Sequence, residues 1–401
     1  MGTGLCIPLL KNYVISGRIN SNTPMHILIA PNAFKHSLTA LEAALAIEKG
    51  LQLSKLQCIS ECFPVGDGGD GTGDLLIKKF DGTWVDTIVD DPLGRKIDSS
   101  FGLIQNGRTA IIEMANASGL RLLQSGELAP LRATSFGTGQ QIREALGKTV
   151  GKIIIGMGGS ATVDGACGML QALGIRFLDN SGAVLSGLPG NLVNLETIDE
   201  SGLDDRIRHT EVVVLCDVDN QLLGTNGSAA VFGPQKGASA RDVKQLDAAL
   251  SQFSQVAMRQ TGRDMSAIKY GGTAGGAAAG LYALLGAKIV NGIDFFLQLT
   301  DFDRALERNQ IVITGEGSVD EQTLQGKAPF GVASRAKQKG LPVIALAGRV
   351  PVAPGQSLRE YFDVLMAIGN EPSDLASALE RTTANLIRTG TELGNLLALN
   401  K

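Results

Sequence analysis

The chain has 401 residues, of which 44% are hydrophobic and only 19% are charged, so it can bury a large core, and its length favours two domains. A formal net charge of −4 and the lack of a lysine- or arginine-rich run argue against nucleic acid as a partner. No run approaches the roughly 20 apolar residues that span a bilayer, so no membrane partner is expected. Five scattered cysteines and the lack of a signal-peptide core predict a cytoplasmic protein without disulfides.

The first predicted elements follow a leader. Residues 1–24 show no clear periodicity and are interpreted as an N-terminal extension. The strand HILIA at 26–30 precedes the loop PNAFKHSL, and the capping-box pattern from Thr39 to Glu42 then predicts the start of a helix. Strand, loop and helix in this order form the unit from which parallel sheets are built.

The same order recurs along the chain. Continuous Val, Ile and Leu runs end in glycine or acidic residues in the segments KIIIGMGGS (152–160), EVVVLCDVDN (211–220) and IVITGEGSVD (311–320), and PVIALAG and FDVLMAI follow. Strands of this kind are buried on both faces, which is typical of a parallel sheet covered by helices. The sequence therefore predicts an α/β fold with its ligand site past the carboxyl ends of the strands.

The hydrophobic pattern changes between Asp86 and about Gly137. Short segments of alternating polar and apolar residues, with the turns PLG and NGR, predict antiparallel hairpins there. We interpret this as a second domain inserted into the first. The predicted organisation is a Rossmann- or flavodoxin-like domain with a parallel sheet, formed by 25–85 plus 290–401, and an inserted α/β domain with a mixed sheet at 86–289.

The segment VGDGGDGTGD places Asp67, Asp70 and Asp74 among glycines. Bare amides in such a loop form an anion nest, and a carboxylate beside them can hold Mg²⁺. A tight turn or a calcium loop is the alternative, but the spacing matches neither the EF-hand nor the calcium-binding nonapeptide repeat. We therefore favour a phosphate or substrate loop.

The segment GMGGSATVDG follows a strand and precedes a helix, where free amides make a natural phosphate site. It also supports a rival interpretation. Gly156, Gly158 and Ala161 match the dinucleotide pattern G-x-G-x-x-G/A, and Asp179 follows about 20 residues later, at the end of a second predicted strand, GIRFLD. An NAD(P)-dependent dehydrogenase of a small hydroxy acid is therefore an alternative, although a lone match of this kind is weak.

No Walker A loop is present. LGKT at 146–149 lacks a glycine five positions before Gly147, so Lys148 is interpreted as a helix-end charge. A kinase with this sequence is not of the P-loop class.

Further carboxylates and lysines lie in glycine-lined loops. In CDVDN, alternation along an extended chain places Asp217 and Asp219 on the same side, which suits Mg²⁺ coordination or activation of a hydroxyl, although an Asx turn is equally compatible. The segments FGPQKG and TGEGSVDEQTLQGK add Lys236, Glu316, Asp320 and Lys327. Phosphoryl transfer depends on positioning and charge neutralisation, for which these groups suffice.

The glycine-rich segment GGTAGGAAAGL, at 271–281, contains Gly275 and Gly276. It is interpreted either as a nucleotide-facing loop that runs into a helix or as small residues that allow close packing.

Many of these segments occur together in one order. From Met25 to the C-terminus the chain resembles the bacterial glycerate kinase family of the glycerate 2-kinase type. The resemblance rests on FKxSL at 34–38, DGGDGT, PLG with IEMANASGL, GTG, GGSATVDG, CDVDN, FGPQKG, TAGG and TGEGSVDEQT..GK. Such a collinear set is far more specific than a single glycine pattern.

The resemblance implies transfer of the γ-phosphate of ATP, with Mg²⁺, to D-glycerate, with 2-phosphoglycerate as the favoured product, at a site between two α/β domains. The implied catalytic residues are Lys35, Asp67, Asp217 and Asp320. Glu316 and Asp320 are the implied metal ligands. The implied substrate or phosphate contacts are Ser37, Gly68, Gly69, Asp70, Gly71, Thr72, Gly158, Gly159, Ser160, Asp164, Asp219, Asn220, Lys236, Gly275, Gly276, Gly315 and Lys327.

The chain departs from the family pattern at four positions. Asn32 and Ala33 stand where the family usually has Asp and Ser, Asp70 where it has Glu, and Val163 where it has Asn. The loss of a carboxylate in the first loop can alter metal binding. A third interpretation, a glycerate-binding paralogue without catalysis, therefore stays open beside the kinase and the dehydrogenase, and the oligomeric state is not predicted.

Overall fold

A computed structural model describes residues 24–399, so all but the last residue of the predicted N-terminal extension lies outside the described part. Within that part the chain forms thirteen strands and fourteen α-helices. The strands are β1 (Met25–Ile29), β2 (Cys58–Cys62), β3 (Thr83–Asp90), β4 (Lys96–Ile104), β5 (Thr109–Glu113), β6 (Lys152–Gly156), β7 (Arg176–Leu178), β8 (Thr197–Asp199), β9 (Glu211–Cys216), β10 (Lys288–Asn291), β11 (Ile311–Ser318), β12 (Val343–Arg349) and β13 (Val364–Ala367). The helices are α1 (Ala40–Leu53), α2 (Thr72–Lys79), α3 (Ala115–Ser118), α4 (Phe136–Gly147), α5 (Cys167–Ala172), α6 (Ser228–Phe232), α7 (Ala240–Thr261), α8 (Thr273–Leu285), α9 (Gly292–Leu299), α10 (Phe302–Leu306), α11 (Ala328–Gln338), α12 (Gln356–Tyr361), α13 (Leu375–Glu380) and α14 (Thr382–Ala398).

The first sheet has five strands in the order β13-β12-β11-β1-β2, and every neighbouring pair is parallel. Strand β11 is central, and β1 pairs with β11 on one side and with the edge strand β2 on the other. The apolar runs of β1, β11 and β12 are buried, as expected for strands covered by helices on both faces. The predicted capping box is present: Thr39 caps α1 and Glu42 bonds back to it.

The second sheet has six strands in the order β10-β9-β6-β5-β4-β3. The pairs β3–β4 and β4–β5 are antiparallel, whereas β5, β6, β9 and β10 pair in parallel. At the β3–β4 turn Asp91 Oδ1 accepts hydrogen bonds from the amides of Leu93 and Arg95, at 2.8 and 2.9 Å. A parallel sheet and a mixed sheet confirm the predicted α/β class.

Strands at 25–62 and 311–367 form the first sheet, and strands at 83–291 form the second, apart from β7 and β8, which form a separate pair. The exact domain boundaries, at 85/86 and 289/290, stay a prediction. One apolar cluster contains side chains of both sheets, among them Leu28 and Val312 from the first and Ile154 and Val213 from the second. The two sheets thus share a core, which fixes the loops at their carboxyl ends relative to one another. Between residues 24 and 399, no helix has the length and apolar character needed to cross a membrane.

Candidate active site

Loops from both sheets meet where β1, β6 and β9 end. The amide of Gly158, past β6, donates to the carbonyl of Gly68 at 3.1 Å. Asn32, past β1, donates through Nδ2 to Asp67 Oδ2 at 2.9 Å. A Cβ at Gly158 would lie only 2.4 Å from the Cα of Gly69, so only glycine permits this approach. The segment 67–71 is therefore held between the two sheets.

Asp67, past β2, Asp217, past β9, and Glu316, near the end of β11, form what we call the carboxylate cluster. A Cβ on Gly69 would lie 2.9 Å from Asp67 Oδ1 and 4.0 Å from Asp217 Oδ2, so both carboxylates border the same small space. Burial, followed by repulsion from Asp67, raises the pKa of Asp217. The proton of Asp217 is thus held more tightly than in an ordinary aspartic acid.

Two lysines flank the carboxylate cluster. Burial raises the pKa of Glu316 to about 7, whereas the ammonium of Lys327 and, more weakly, that of Lys35 act in the opposite direction. The same two lysines also favour the charged form of Asp217. Thr323 Oγ1 donates to Glu316 Oε1 at 3.2 Å. The structure therefore brings five of the predicted site residues together: Lys35, Asp67, Asp217, Glu316 and Lys327.

The side chains of Asp219 and Asn220 have partners outside the carboxylate cluster. Strand β9 ends at Cys216, so the alternation that was expected to place Asp217 and Asp219 on one side does not apply. Asp219 pairs instead with Lys269 at 3.8 Å. Asn220 Nδ2 donates to the carbonyl of Asn226 at 3.3 Å and so stabilises its own loop.

The glycine loop after β2 is closed by its own side chains. The amide of Gly68 donates to Thr72 Oγ1 at 3.0 Å, and that of Gly69 donates to Asp67 Oδ1 at 3.1 Å. Gly71, with φ of 90°, precedes α2. The amides of Gly68 and Gly69 are thus engaged by the side chains of their own loop, and the predicted anion nest stays a prediction.

Asp70 forms an ion pair that the sequence did not reveal. Arg121 Nη1 lies 3.0 and 3.1 Å from the two oxygens of Asp70, and Arg121 Nη2 donates to Asn116 Oδ1. Both charged side chains are about half exposed. Gly119 forms an antiparallel bridge with Ser160, which places this arginine beside the GMGGS loop. The position of Arg121 directly after the IEMANASGL motif was the only available signal.

Lys236 supports the GMGGS loop from behind. Its side chain is buried, and Nζ donates to Ser160 Oγ at 2.9 Å and to the carbonyl of Thr162 at 2.7 Å. Burial lowers the pKa of Lys236 to about 7, and Asp164 acts in the opposite direction. Lys236 therefore positions the loop in this conformation, whereas direct contact with a substrate was expected. Gly159, with φ of 71°, forms the turn of the same loop.

Asp164 is fully buried behind that loop. Its Oδ2 accepts from the amide and hydroxyl of Ser135 and from the amide of Gly168, at 2.8, 2.7 and 3.2 Å, and its Oδ1 accepts from the amide of Ala166 at 3.1 Å. Both oxygens are thus used in holding α4 and α5 together, and the predicted substrate contact of Asp164 stays a prediction.

Three glycines that were predicted to contact phosphate are packing residues. A Cβ would lie 2.1 Å from the carbonyl of Thr162 at Gly275, 2.7 Å from the Leu222 side chain at Gly276, and 2.0 Å from the carbonyl of Leu346 at Gly315. The close-packing alternative for the TAGG segment therefore describes the structure, and Gly315 is required by the sheet pairing of β11 with β12.

Two other predicted residues have local structural partners. The Ser37 hydroxyl donates to the carbonyl of Leu379 at 2.6 Å, which ties the first loop to α13. Asp320 Oδ1 accepts from the amide of Gln322 at 3.0 Å and caps the short 3₁₀ turn Glu321–Gln325. Among the side chains of residues 24–399, no group of three or more His, Cys, Asp or Glu is arranged to hold a metal ion. The metal-ligand assignments of Glu316 and Asp320 stay predictions.

Glu113, at the end of β5, borders the glycine loop. Burial raises its pKa to about 7, while the amide of Gly73, which donates to Oε1 at 2.7 Å, lowers it. The folded protein therefore keeps this proton between about pH 4.5 and 7, where the unfolded chain has lost it, and stability falls as pH rises through that window.

We expect Glu113→Gln to remove this loss, because the amide stays neutral and its oxygen still accepts from Gly73. The advantage of the variant over the wild type in free energy of unfolding should grow by on the order of 1–3 kcal/mol between about pH 5 and pH 8. Urea unfolding across that range measures it, with Glu144→Gln, on the exposed face of α4, as the control. A constant difference between Glu113→Gln and the wild type would contradict the assignment.

The dinucleotide-binding alternative requires that the strand before Asp179 belong to the same parallel sheet as the strand before the glycine loop. Strand β7 pairs only with β8 among the strands described, in a separate antiparallel sheet. Asp179 Oδ1 accepts from the amides of Ser181 and Ala183, at 2.8 and 3.0 Å, within its own turn. The acidic residue of the fingerprint thus lacks the structural context that the dehydrogenase interpretation requires.

An α/β protein whose carboxylates and lysines converge past the strand ends has the features of a phosphoryl-transfer enzyme. Comparison with known proteins specifies the class. The model of the glycerate kinase family matches residues 27–398. A glycerate kinase of Bacillus subtilis (strain 168) is 42% identical over 377 residues, which cover 94% of this chain and 99% of the relative.

Two further relatives agree with this match. The glycerate 2-kinase of Escherichia coli (strain K12) is 40% identical over 381 residues, 94% of this chain and 98% of the relative. The crystal structure of a Salmonella typhimurium LT2 protein assigned as glycerate kinase 2 matches with a TM-score of 0.80 and 39% identity, over 94% of this chain and 99% of that one. The chain therefore belongs to the glycerate kinase family. The resemblance found in the motifs is confirmed, and the family implies ATP as the phosphate donor.

Proposed function

We propose that the protein transfers the γ-phosphate of ATP to the 2-hydroxyl of D-glycerate, with Mg²⁺, giving 2-phosphoglycerate and ADP. The observation that carries the proposal is the carboxylate cluster with Lys35 and Lys327 beside it, in a chain of the glycerate kinase family. The relative from Escherichia coli, a glycerate 2-kinase, supports the 2-position. We propose the cytoplasm as the location, because ATP is available there.

Asp217 is the proposed acceptor of the hydroxyl proton. Its raised pKa brings the carboxylate closer to neutral pH, where a general base is effective and is still ionised. Lys35 and Lys327 are placed to neutralise the phosphate oxygens, whose charge must be stabilised as the bond to the leaving group lengthens. The chain's own groups thus supply orientation, proton removal and charge neutralisation.

The donor set of the cluster suits Mg²⁺. The ion takes carboxylate oxygens and is usually held by one or two protein carboxylates together with substrate phosphates. Asp67 and Glu316 are the proposed ligands, since each is buried and the charge of Asp67 raises the pKa of Glu316, a repulsion that a cation relieves. When bound, the ion supplies charge neutralisation at the phosphate oxygens.

Asn32, one of the departures from the family pattern, fits this arrangement. Its Nδ2 donates to Asp67 Oδ2 at 2.9 Å, and its Oδ1 accepts from the amide of Ala33 at 2.8 Å. An aspartate here would add a third charge beside Asp67. The substitution leaves the carboxylates of the cluster in place, so it does not favour the non-catalytic paralogue.

Arg121 is proposed to bind the carboxylate of glycerate, because its exposed guanidinium already holds a carboxylate, Asp70, through two contacts. Arg121→Ala should raise the KM for D-glycerate by about 10- to 100-fold, the value of a charge-assisted hydrogen bond, and leave the KM for ATP nearly unchanged. Initial-rate kinetics measure both constants. Arg206→Ala, which removes an equally exposed arginine paired with Asp204 at 2.6 Å, is the control. A rise in the KM for ATP alone would reassign Arg121 to the nucleotide.

The test of the proposed function is ADP release by the purified protein with ATP and Mg²⁺, with and without D-glycerate, and with L-lactate as a control acid. Proton-coupled ³¹P NMR of the product then locates the phosphate, since an ester on a CH group gives a doublet and one on a CH₂ group gives a triplet. A triplet would overturn the 2-position. Glycerate binding without ADP would favour the paralogue, and reduction of NAD(P)⁺ would favour the dehydrogenase.

A further inference from the structure

A cavity of about 500 Å³ lies beside the carboxylate cluster and has no role in the chemistry described so far. Its lining includes Asp219, two residues after Asp217, and Gly326, directly before Lys327. Two loops, one past β9 and one past β11, therefore each contribute one residue to the cavity lining and a nearby residue to the active site.

The size of the cavity exceeds what glycerate needs. Pockets of about 300–1,000 Å³ take drug-sized organic ligands. Of the two substrates in the proposed reaction, only the nucleotide has a portion of that size. Because the reacting γ-phosphate must lie at the carboxylate cluster, the nucleoside must extend away from it by the length of the polyphosphate, and the cavity lies within that reach.

The cavity wall has aromatic rings from both parts of the chain. Tyr270 precedes α8, in the part that carries the six-stranded sheet, and Phe330 lies in α11, which packs on the five-stranded sheet. Both rings are partly exposed. Phe330 is held by an edge contact with Tyr361, with ring centroids 4.8 Å apart and an angle of 73°. A planar base can stack on such fixed rings without a large loss of side-chain entropy.

Polar groups on the cavity wall suit a ribose and a phosphate. Asp219 and Asp294 are exposed carboxylates that can accept hydrogen bonds from ribose hydroxyls. Lys269 lies 3.8 Å from Asp219 and 4.7 Å from the centroid of the Tyr270 ring, and its side chain is 65% exposed, so a phosphate can compete with Asp219 for its ammonium. Asn291 is already committed, because it donates to the carbonyl of Gly326 at 3.2 Å and accepts from the amide of Asp294 at 3.0 Å, which makes this wall rigid.

We propose that this cavity binds the nucleoside of ATP, with the base against Tyr270 and Phe330, the ribose at Asp219 and Asp294, and the polyphosphate directed past Gly326. The inference rests on the proposed use of ATP, but not on glycerate as the acceptor.

The first test compares Tyr270→Leu and Phe330→Leu with the wild type. Each variant removes a ring and keeps apolar volume, so a thermal melt should confirm that it folds. The KM for ATP should rise by about 5- to 150-fold, the range that base stacking on an aromatic ring gives. The KM for D-glycerate should stay within about twofold, because neither ring is proposed to contact glycerate. Trp84→Leu, an exposed aromatic on β3, is the control. A rise in the KM for glycerate with that for ATP unchanged would overturn the proposal.

The second test needs neither turnover nor a variant. Calorimetric titration measures ADP binding to the wild-type protein, and photolabelling with 8-azido-ATP is expected to modify residues 269–270 or 324–330, with excess ATP as the competitor. Label confined to other segments would overturn the proposal. If ADP binds and 8-azido-ATP labels the cavity, but no glycerate-dependent ADP release is seen, the proposed acceptor fails while the nucleoside site stands.

Discussion

Asp217→Asn is expected to lower kcat for glycerate phosphorylation by about 10²- to 10⁴-fold, the range over which a positioned general base accelerates a reaction. The amide has the shape of the carboxylate but cannot take up the hydroxyl proton. The KM for D-glycerate should change much less, because the hydroxyl can still bond to the amide. The residual activity should also lose the wild-type decline at acid pH, where Asp217, whose pKa is raised, becomes protonated.

Folding provides an internal check on Asp217→Asn. The variant removes a charge that Asp67 repels, so its melting temperature should equal or exceed that of the wild type. Asp179→Asn is the matched control, because its carboxylate bonds only its own surface turn among the contacts described. If Asp179→Asn abolished activity and Asp217→Asn did not, both the assigned base and the rejection of the dinucleotide fingerprint would be wrong.

Asp164→Ala is expected to be the most destabilising single substitution in the site region, with a loss of about 3 kcal/mol or more in free energy of unfolding. The change leaves the amides of Ser135, Ala166 and Gly168 without their acceptor in a dry interior. Each buried unsatisfied donor costs about 1–3 kcal/mol. Urea unfolding at constant pH measures the effect.

Asp179→Ala is the appropriate comparison for Asp164→Ala. Asp179 also accepts from two amides and a hydroxyl, at 2.8, 3.0 and 2.7 Å, but it lies at the surface, where water replaces the lost acceptor. Its loss should cost about 1 kcal/mol or less. Equal losses for the two variants would mean that burial does not set the cost at Asp164.

The positions of the site loops were predictable, because ligand sites in open α/β sheets lie past the carboxyl ends of the strands. Apolar strands that end in GMGG and CDVD must deliver those residues to one edge of a parallel sheet, and Asp217 does lie there, close to Asp67 of the GDGG loop. The antiparallel hairpins were also predictable, because alternation and turn residues are local signals.

The direction of individual side chains was not predictable in the same way. Asp164 and Lys236 occur in motifs beside ligand-type glycines, yet tertiary packing buries both of them. The partner of Asp70 is Arg121, 51 residues away, and no local pattern specifies such a pair. Gly275 and Gly315 satisfy backbone contacts with Thr162 and Leu346, which depend on the fold as a whole. Motifs thus identify loops, whereas long-range contacts decide which of their atoms are accessible.

The pairing of β1 with β11 has a consequence for synthesis on the ribosome. Ile27 of β1 aligns with Ile311 of β11, so β1 is made long before the central strand with which it pairs. At about 5–20 residues per second, β1 waits roughly 15–60 s for β11 to emerge. All strands of the second sheet, from β3 to β10, are translated within that interval. The second sheet can therefore fold first and serve as the surface on which the two ends of the chain assemble.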